Sequence, residues 1–260
     1  MVKRFVEDAY QAALRASKEI LSIYQTNFTF ENKIDDSPVT IADQKADAII
    51  RQYLQVKYPA FGFLTEESSD DLSRLKKDYV WVVDPIDGTK DFIAKNDEFT
   101  INIALVHQQK VIMGLIHIPA KQDTYFALKE AGSFHRIHGK DQRIFVNQKT
   151  KKLTVLTSRF HLQPIEKSLI EKYQVLGKFS KVETFGSAIK SCRIAEGLAE
   201  VSYRLSPGTK EWDTAASDLI VTEAGGFFVK PNQELYTYNR KDVRNLDGYI
   251  ILNRLENLYL

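Results

Sequence analysis

The sequence predicts a layered α/β protein whose two halves meet near residue 150. Two amphipathic helical patterns open the chain, a run of closely spaced strand patterns follows, and strand and helix patterns then alternate to the end. The 260 residues suit one large domain or two tightly joined halves, 1–150 and 151–260, at roughly 150 residues per domain.

Residues 2–24 carry Phe5, Ala9, Ala13, Ala16, Ile20 and Ile23 at three- and four-residue spacing, the period of a helix with one apolar face. A polar stretch over 26–36 breaks that period. Ser37, Pro38, Val39 and Thr40 lead into a second helix, with Ala42, Ala46, Ile49, Ile50 and Leu54 on one face and Pro59 as its stop. Residues 79–83 are a short apolar run bounded by turn residues, hence a buried strand. Residues 99–106 alternate, with Phe99, Ile101, Ile103 and Leu105 inward and Thr100, Asn102 and Ala104 opposite. Strand patterns recur at 111–118, 124–128 and 143–146, separated by turn signals. Sequential strands of this kind predict an antiparallel or mixed sheet. Beyond residue 150, strand patterns at 153–157, 182–185, 199–205, 227–229 and 249–252 are interleaved with helical patterns at 164–173, 187–196 and 212–224. Pro164 suits a first helical turn, and Gly225-Gly226 stops the last helix.

Composition narrows the function classes. Lys plus Arg is 36 and Asp plus Glu is 34, a formal net charge of +2. So balanced a chain has no electrostatic footprint for wrapping nucleic acid. A single cysteine, Cys192, rules out a disulfide framework within the chain and favours a reducing compartment; it is expected as a core residue on a helix face. The first residues carry charges where a secretory signal needs an apolar core. No apolar run approaches the ~20 residues that span a bilayer. A cytoplasmic protein without an integral membrane segment is expected, with peripheral contact at the inner membrane left open.

The most informative stretch reads W-V-V-D-P-I-D-G-T-K-D-F over residues 81–92. A buried strand runs out at Asp84, Pro85 and Gly88 force a tight loop, and a helix is expected to start near Thr89. Two carboxylates three residues apart at a strand end destabilise each other if both are charged and unpaired. A hard divalent cation relieves that repulsion. The helix start offers N–H groups where a phosphate oxygen would sit. Alone, such a turn is equally an ordinary strand-to-helix connection with Asp caps. An aspartyl-phosphate phosphatase of the haloacid-dehalogenase kind needs its two Asp residues two apart; Ile86 stands where that nucleophile would be. The spacing therefore favours direct attack by a metal-activated water. Glu66 and Glu67 precede this strand, and Asp213 follows Trp212 at the start of a small-residue helix. Each of these acids alone also reads as a solvated or capping group.

Taken together and in this order, these elements resemble the inositol monophosphatase superfamily of Mg²⁺-dependent, lithium-sensitive phosphatases. Its signature W-x-V/I-D-P-I/L-D-G-T-x-N/D-F/Y is matched over 81–92. W-D-x-A-A/G and E-A-G-G are matched over 212–216 and 223–226. E-E-S is matched by Glu66, Glu67 and Ser68, and V-T-x-x-D by Val39, Thr40 and Asp43. The resemblance implies a layered α-β-α-β-α sandwich of the inositol monophosphatase and sugar phosphatase type. It further implies that Glu66, Asp84, Asp87, Asp213 and the carbonyl of Ile86 hold two or three Mg²⁺ ions. Thr89, hydrogen-bonded to Asp43, would help deprotonate the attacking water, with Glu66 and Asp87 sharing in catalysis. The N–H groups of Gly88 and Thr89 would bind the phosphate. Asp43 also has an ordinary reading, as the third-position partner of an N-cap at Thr40.

Away from the acids, Gly186, Ser187, Lys190, Cys192, the run Ala195-Glu196-Gly197, and Arg204 are similar to the branch formed by bacterial 3′(2′),5′-bisphosphate nucleotidases. That branch removes the 3′-phosphate of 3′-phosphoadenosine 5′-phosphate to leave AMP, and acts likewise on the phosphosulfate, in sulfur assimilation and nucleotide recycling. Substrate contacts are expected from Gly88, Thr89, Gly186, Ser187, Lys190, Arg204 and Asp213. Inositol-specific members usually carry an acid where Arg204 falls; an Arg there suits a second anion. Tyr203, Leu205 and a longer 205–211 stretch depart from the branch's common pattern. His135 and His138 fall in an expected turn and read as surface residues. The alternatives are an inositol monophosphatase or sugar bisphosphatase of the same superfamily, and a nucleotide-binding protein without activity. A monomer or a homodimer, acting on a small phosphorylated nucleotide, is expected.

Overall fold

The computed structural model describes residues 2–32 and 38–260; Ser37, expected before the second helix, lies outside them. Helix α1 (Val2–Tyr24) is followed by an antiparallel hairpin of β1 (Phe30–Asn32) and β2 (Pro38–Thr40), then α2 (Ile41–Lys57). A seven-stranded sheet comes next: β3 (Gly62–Thr65), β4 (Tyr79–Asp87), β5 (Thr100–His107), β6 (Lys110–Ile118), β7 (Asp123–Leu128), β8 (Gly132–Ile137) and β9 (Lys140–Ile144), in that spatial order. The short helix α3 (Thr89–Ile93) interrupts it after β4. Only β3 and β4 run parallel; the other neighbours pair antiparallel, so the sheet is mixed, as the sequential strand patterns predict. Strand β8 falls where only a turn is expected. Its pattern is half-buried and interrupted by His135 and Arg136, so period-two reasoning does not find it.

The second half begins with β10 (Leu153–Ser158), α4 (Pro164–Val175), β11 (Phe179–Phe185), α5 (Ile189–Ala195), β12 (Val201–Arg204), β13 (Thr209–Lys210) and α6 (Glu211–Glu223). Strands β14 (Phe227–Val229), β15 (Arg244–Asn245) and β16 (Tyr249–Leu252) complete it. Five strands form a sheet in the order β11-β10-β12-β16-β14. Strand β10 runs parallel to β11 and β12, and β16 antiparallel to β12 and β14. The antiparallel pairing of β13 with β15 forms a separate two-stranded ribbon.

Apolar patterning sets the layers. The faces of α1 and α2 (Ala9, Ala13, Ala16, Ile20, Ala46, Ile50, Leu54) pack on one side of the large sheet with Ile101, Ile103 and Leu105. On its other side Val80, Val82, Ala104 and Val106 share a core with Ala195 of α5, Ala216 and Ile220 of α6, and Leu156, Phe228 and Ile251 of the smaller sheet. The smaller sheet's far side packs Val155, Val201 and Ile250 against Ile170 of α4. The order is therefore helices, sheet, helices, sheet, helix: the α-β-α-β-α sandwich. Strand β5 lies between two helical layers. Ala104 is consequently as buried as Ile103, and "opposite" on this strand means a second core rather than solvent. Small residues let α6 sit close to the sheet: a side chain at Gly114 would meet the Ala216 backbone at 2.8 Å.

Candidate active site

Three carboxylates meet where the large sheet faces α6. Single oxygens of Asp84, Asp87 and Asp213 all lie within 4.8 Å of one another. Residues three apart on a regular strand point to opposite faces. Here β4 carries one extra residue: Asp84 pairs with Asn102, but Asp87 pairs with Thr100. This bulge at Pro85 and Ile86 turns both acids to one side. The Ile86 N–H donates to Asp84 Oδ1 at 3.1 Å, fixing the first of them. Asp87 accepts from Asn102 Nδ2 (3.1 Å) and Thr100 Oγ1 (3.4 Å) on the neighbouring strand. Asp213 stands in the first turn of α6 and accepts from the Lys210 N–H at 2.6 Å.

This arrangement works against its own charge. Burial, then Glu66, Asp87 and Asp213, push the Asp84 carboxyl well above its ordinary range. Burial raises Asp87 to about 6, with Lys190 and the Asn102 hydrogen bond pulling the other way. Burial, then Asp87 and Glu66, raise Asp213 to about 8. Such acids lose the repulsion when a cation lies among them. Their donor atoms are all oxygens, with no His or Cys in the group, the set a hard divalent cation takes. Glu66 follows β3, its N–H donating to the Val83 carbonyl at 3.2 Å, and it faces the same cleft outside that tight group. Ser68 donates to Asp47 of α2 at 2.7 Å, tying the Glu66 loop to the helical layer.

Asp43 has both of the partners expected of it. Its Oδ2 accepts from the Thr40 N–H (2.8 Å) and Thr40 Oγ1 (2.6 Å), a capping arrangement at the start of α2. Its Oδ1 faces Thr89 Oγ1 at 3.3 Å, and that hydroxyl lies equally far from the Ile86 carbonyl. Helix α3 starts at Thr89, as the motif predicts. Gly88 before it has φ +90°, a left-handed conformation that side chains disfavour, and a Cβ there would press on Ser187 at 3.1 Å.

A cleft of about 690 Å³ opens over the acids. Glu66, Asp84, Ile86, Asp87, Gly88, Thr89, Ser187, Lys190, Arg204 and Asp213 all line it. Of the expected site residues only Asp43 and Gly186 do not. Gly186 acts from behind: its N–H donates to Glu98 at 2.8 Å, and a Cβ would collide with the Asp91 carboxyl at 2.4 Å. Lys190 is buried and donates to the Ser187 carbonyl at 2.7 Å. Burial draws its pKa down, against the pull of Asp87 and Asp91. Arg204 ends β12 and also lines the cleft. Its Nη1 donates to the His161 carbonyl at 2.5 Å, and its Nε is buried without a partner. A second hollow of about 360 Å³, beside Gln148 and Asn253, has one acid, Glu256, in its lining.

Sequence reasoning misses several neighbours. Thr100 and Asn102 support Asp87; the available signal is two polar residues on a strand otherwise apolar on both faces. His161, Tyr249 and Lys90 also line the cleft. Burial, then Arg204, hold His161 down to about 4. His135 is not the surface residue expected. It lies on β8, stacks on Tyr125 at 4.1 Å between centroids, and bridges Glu196 (2.7 Å) and Asp123 (3.3 Å). Its carboxylate partners come from distant segments, so spacing could not reveal them. Cys192 is buried on α5 in the core, as expected.

The model of the inositol monophosphatase family matches residues 1–256. The chain is 36% identical over 223 residues to the 3′(2′),5′-bisphosphate nucleotidase CysQ of Salmonella typhimurium, covering 85% of this chain and 88% of that protein. The crystal structure of CysQ from Bacteroides thetaiotaomicron, a bacterial member of the same family, superposes with a TM-score of 0.81 at 34% identity, covering 95% of this chain and 97% of the other. The Thermotoga maritima IMPase also superposes with a TM-score of 0.81, at 22% identity over 97% and 92% of the two chains, a likeness of fold.

Proposed function

The chain belongs to the inositol monophosphatase family, a family of phosphatases, and within it we propose that it is a Mg²⁺-dependent 3′(2′),5′-bisphosphate nucleotidase. Its substrate on this reading is 3′-phosphoadenosine 5′-phosphate, hydrolysed at the 3′-phosphate to AMP, with the corresponding phosphosulfate as a second substrate. The observation that carries the reading is a cleft lined both by the acid cluster and by Arg204. The relatives named CysQ, at about a third identity over most of the chain, support the choice of substrate.

Asp84, Asp87, Asp213, Glu66 and the Ile86 carbonyl would hold two or three Mg²⁺ ions. Bound divalent cations supply charge neutralisation for a phosphoryl group and a water of lowered pKa. The remaining work falls to the chain itself. Gly88 and Thr89 present N–H groups at the α3 start to the phosphate being cut. The Thr89 hydroxyl, 3.3 Å from Asp43, would take a proton from the attacking water while giving its own to the Asp43 carboxylate. Glu66 and Asp87 hold the acid side of the cleft in register. Ser187 and Lys190 line the middle, where buried Lys190 balances nearby acids. Arg204 offers a planar fork that fits the oxygens of the second phosphate.

A phosphate-release panel with Mg²⁺ tests this directly. 3′-Phosphoadenosine 5′-phosphate should be hydrolysed far faster than inositol 1-phosphate or a sugar bisphosphate. The reverse order would make the chain an inositol or sugar phosphatase of the same family. No Mg²⁺-dependent release from any of them would leave a nucleotide-binding protein. A single turnover in ¹⁸O-labelled water should place label in the released phosphate; a trapped aspartyl-phosphate would revive the covalent route.

A further inference from the structure

Asp213 reaches the acid group from the far half of the chain, on the first turn of α6, while Asp84 and Asp87 come from β4. Something must hold that turn against the repulsion among the three. Apolar packing against the large sheet reaches into that turn at Trp212, but the residues on either side of it, Glu211 and Asp213, are acids. Glu211, the first residue of α6, is fully buried. Its two oxygens accept from the backbone N–H groups of Asn239 (2.6 Å) and Arg240 (2.9 Å) and from Arg240 Nε (3.0 Å). The Glu211 N–H in turn donates to the Val243 carbonyl at 2.9 Å. The 239–243 loop thus clasps the start of α6.

That loop is pinned from the other half by one side chain. Arg74 lies in a 3₁₀ turn (Ser73–Lys76) after the Glu66 loop and is only 1% exposed. Its Nη1 donates to Asn239 Oδ1 at 2.6 Å and its Nη2 to the Arg240 carbonyl at 2.9 Å. Nε and Nη2 also donate to Asp70 at 3.0 and 2.8 Å. Gly62 makes room for it: a Cβ there would stand 2.9 Å from the Arg74 Cβ. The side chain has its charge paired, three of its nitrogens bonded and its stem packed on β3. None of this machinery lines the cleft.

We propose that the hydrogen-bonded chain Asp70–Arg74–Asn239/Arg240–Glu211, buried at Arg74 and Glu211, is a brace that holds Asp213 at its distance from Asp84 and Asp87, and that Arg74 is thereby a positioning residue for the cation site. The proposal rests on the reading of the three acids as metal ligands. Groups that orient a ligand from behind typically change metal affinity by about 10–100-fold when removed.

The test measures Mn²⁺ alone binding to the purified full-length chain, read by the loss of the free-ion electron paramagnetic resonance signal. Arg74→Met is compared with the parent and with Val155→Ala, a cavity in the apolar core of the small sheet away from the cleft. Melting temperatures of all three are recorded, so that general loosening is separated from loss of position. The expected result is Mn²⁺ affinity about tenfold or more weaker in Arg74→Met, with Val155→Ala within twofold of the parent. If the parent binds and Arg74→Met binds within twofold of it, the brace is overturned while the metal reading stands. Equal weakening in Val155→Ala also overturns it. Should Arg74→Met not fold, Asn239→Ala, which removes one of the brace's bonds, decides on the same thresholds. A folded parent that binds no Mn²⁺ overturns the metal reading and the brace with it.

Discussion

The two sides of the cleft are built on opposite electrostatic principles. On the acid side, Asp84, Asp87 and Asp213 are each held by a backbone or amide donor, and they raise one another's pKa. On the basic side, Arg204 is anchored by the His161 carbonyl. A neutral oxygen steadies this cation without cancelling its charge. The acid side is thus destabilised until a cation arrives, whereas the basic side is ready for an anion as it stands. On the function proposed above, the acid side would carry the chemistry common to the family and the basic side would distinguish substrates.

The sharpest way to break this comparison is at the acids. Asp84→Asn and Asp213→Asn each remove a charged donor from the cluster, and Mg²⁺-dependent turnover should fall by roughly a thousandfold or more. Phosphate release retained within tenfold in either variant would show that the cluster is not the reacting centre. Next comes Thr89→Ala. Its hydroxyl faces Asp43 and the Ile86 carbonyl, so its loss should lower kcat by about a hundredfold while KM changes little. A rise in KM with kcat unchanged would move Thr89 from the transition state to substrate binding.

The basic side should respond selectively. Arg204→Ala should lower kcat/KM for 3′-phosphoadenosine 5′-phosphate by about ten- to a hundredfold, as loss of a charge-assisted hydrogen bond of roughly 1.5–3 kcal/mol predicts. A sugar monophosphate, lacking the second phosphate, should barely register the change. Equal losses on both substrates would make Arg204 a structural residue.

The smallest effect is on stability without metal, and its sign separates the two sides. Asp213 and Asp84 have folded-state pKa values raised above those of the unfolded chain, so the folded state binds more protons. Their contribution is therefore most favourable below the ordinary carboxylate pKa near 4 and is lost as pH rises through about 8. The metal-free protein should melt progressively lower across that window, and Mg²⁺ should restore it. Asp84→Asn should melt above the parent at pH 8 without metal, by about 2–4 °C for each kcal/mol of repulsion removed in a chain of this size. Differential scanning calorimetry reads both; a variant that melts lower than the parent there would mean that repulsion is not what the acids contribute.

Much of this site is legible in the linear chain because its pieces are local. Asp84, Ile86, Asp87, Gly88 and Thr89 occupy one strand end and one turn, and the turn residues that shape it are adjacent in sequence. The capping pair Thr40 and Asp43 is local too, spaced as a first helical turn requires. The second use of Asp43, toward Thr89, spans 46 positions and follows only from the family pattern. His135 shows the limit of spacing: its turn-like surroundings read as surface, yet Glu196, just past the end of α5, pairs with it.

Periodicity and punctuation by themselves determined the layered class and most element positions, because helices, turns and caps depend on contacts within a few residues; the joining of Asp213 to Asp84 and Asp87 followed only from the family pattern. Only the tertiary structure decided that a one-residue bulge turns Asp84 and Asp87 to the same side, that Thr100 and Asn102 stand behind Asp87, and that Arg74 reaches across 165 positions to Asn239. Those features depend on which strand lies beside which and on which buried charge finds a partner. Such pairings are settled when the chain packs, since a buried polar group takes whatever donor or acceptor the fold brings within reach.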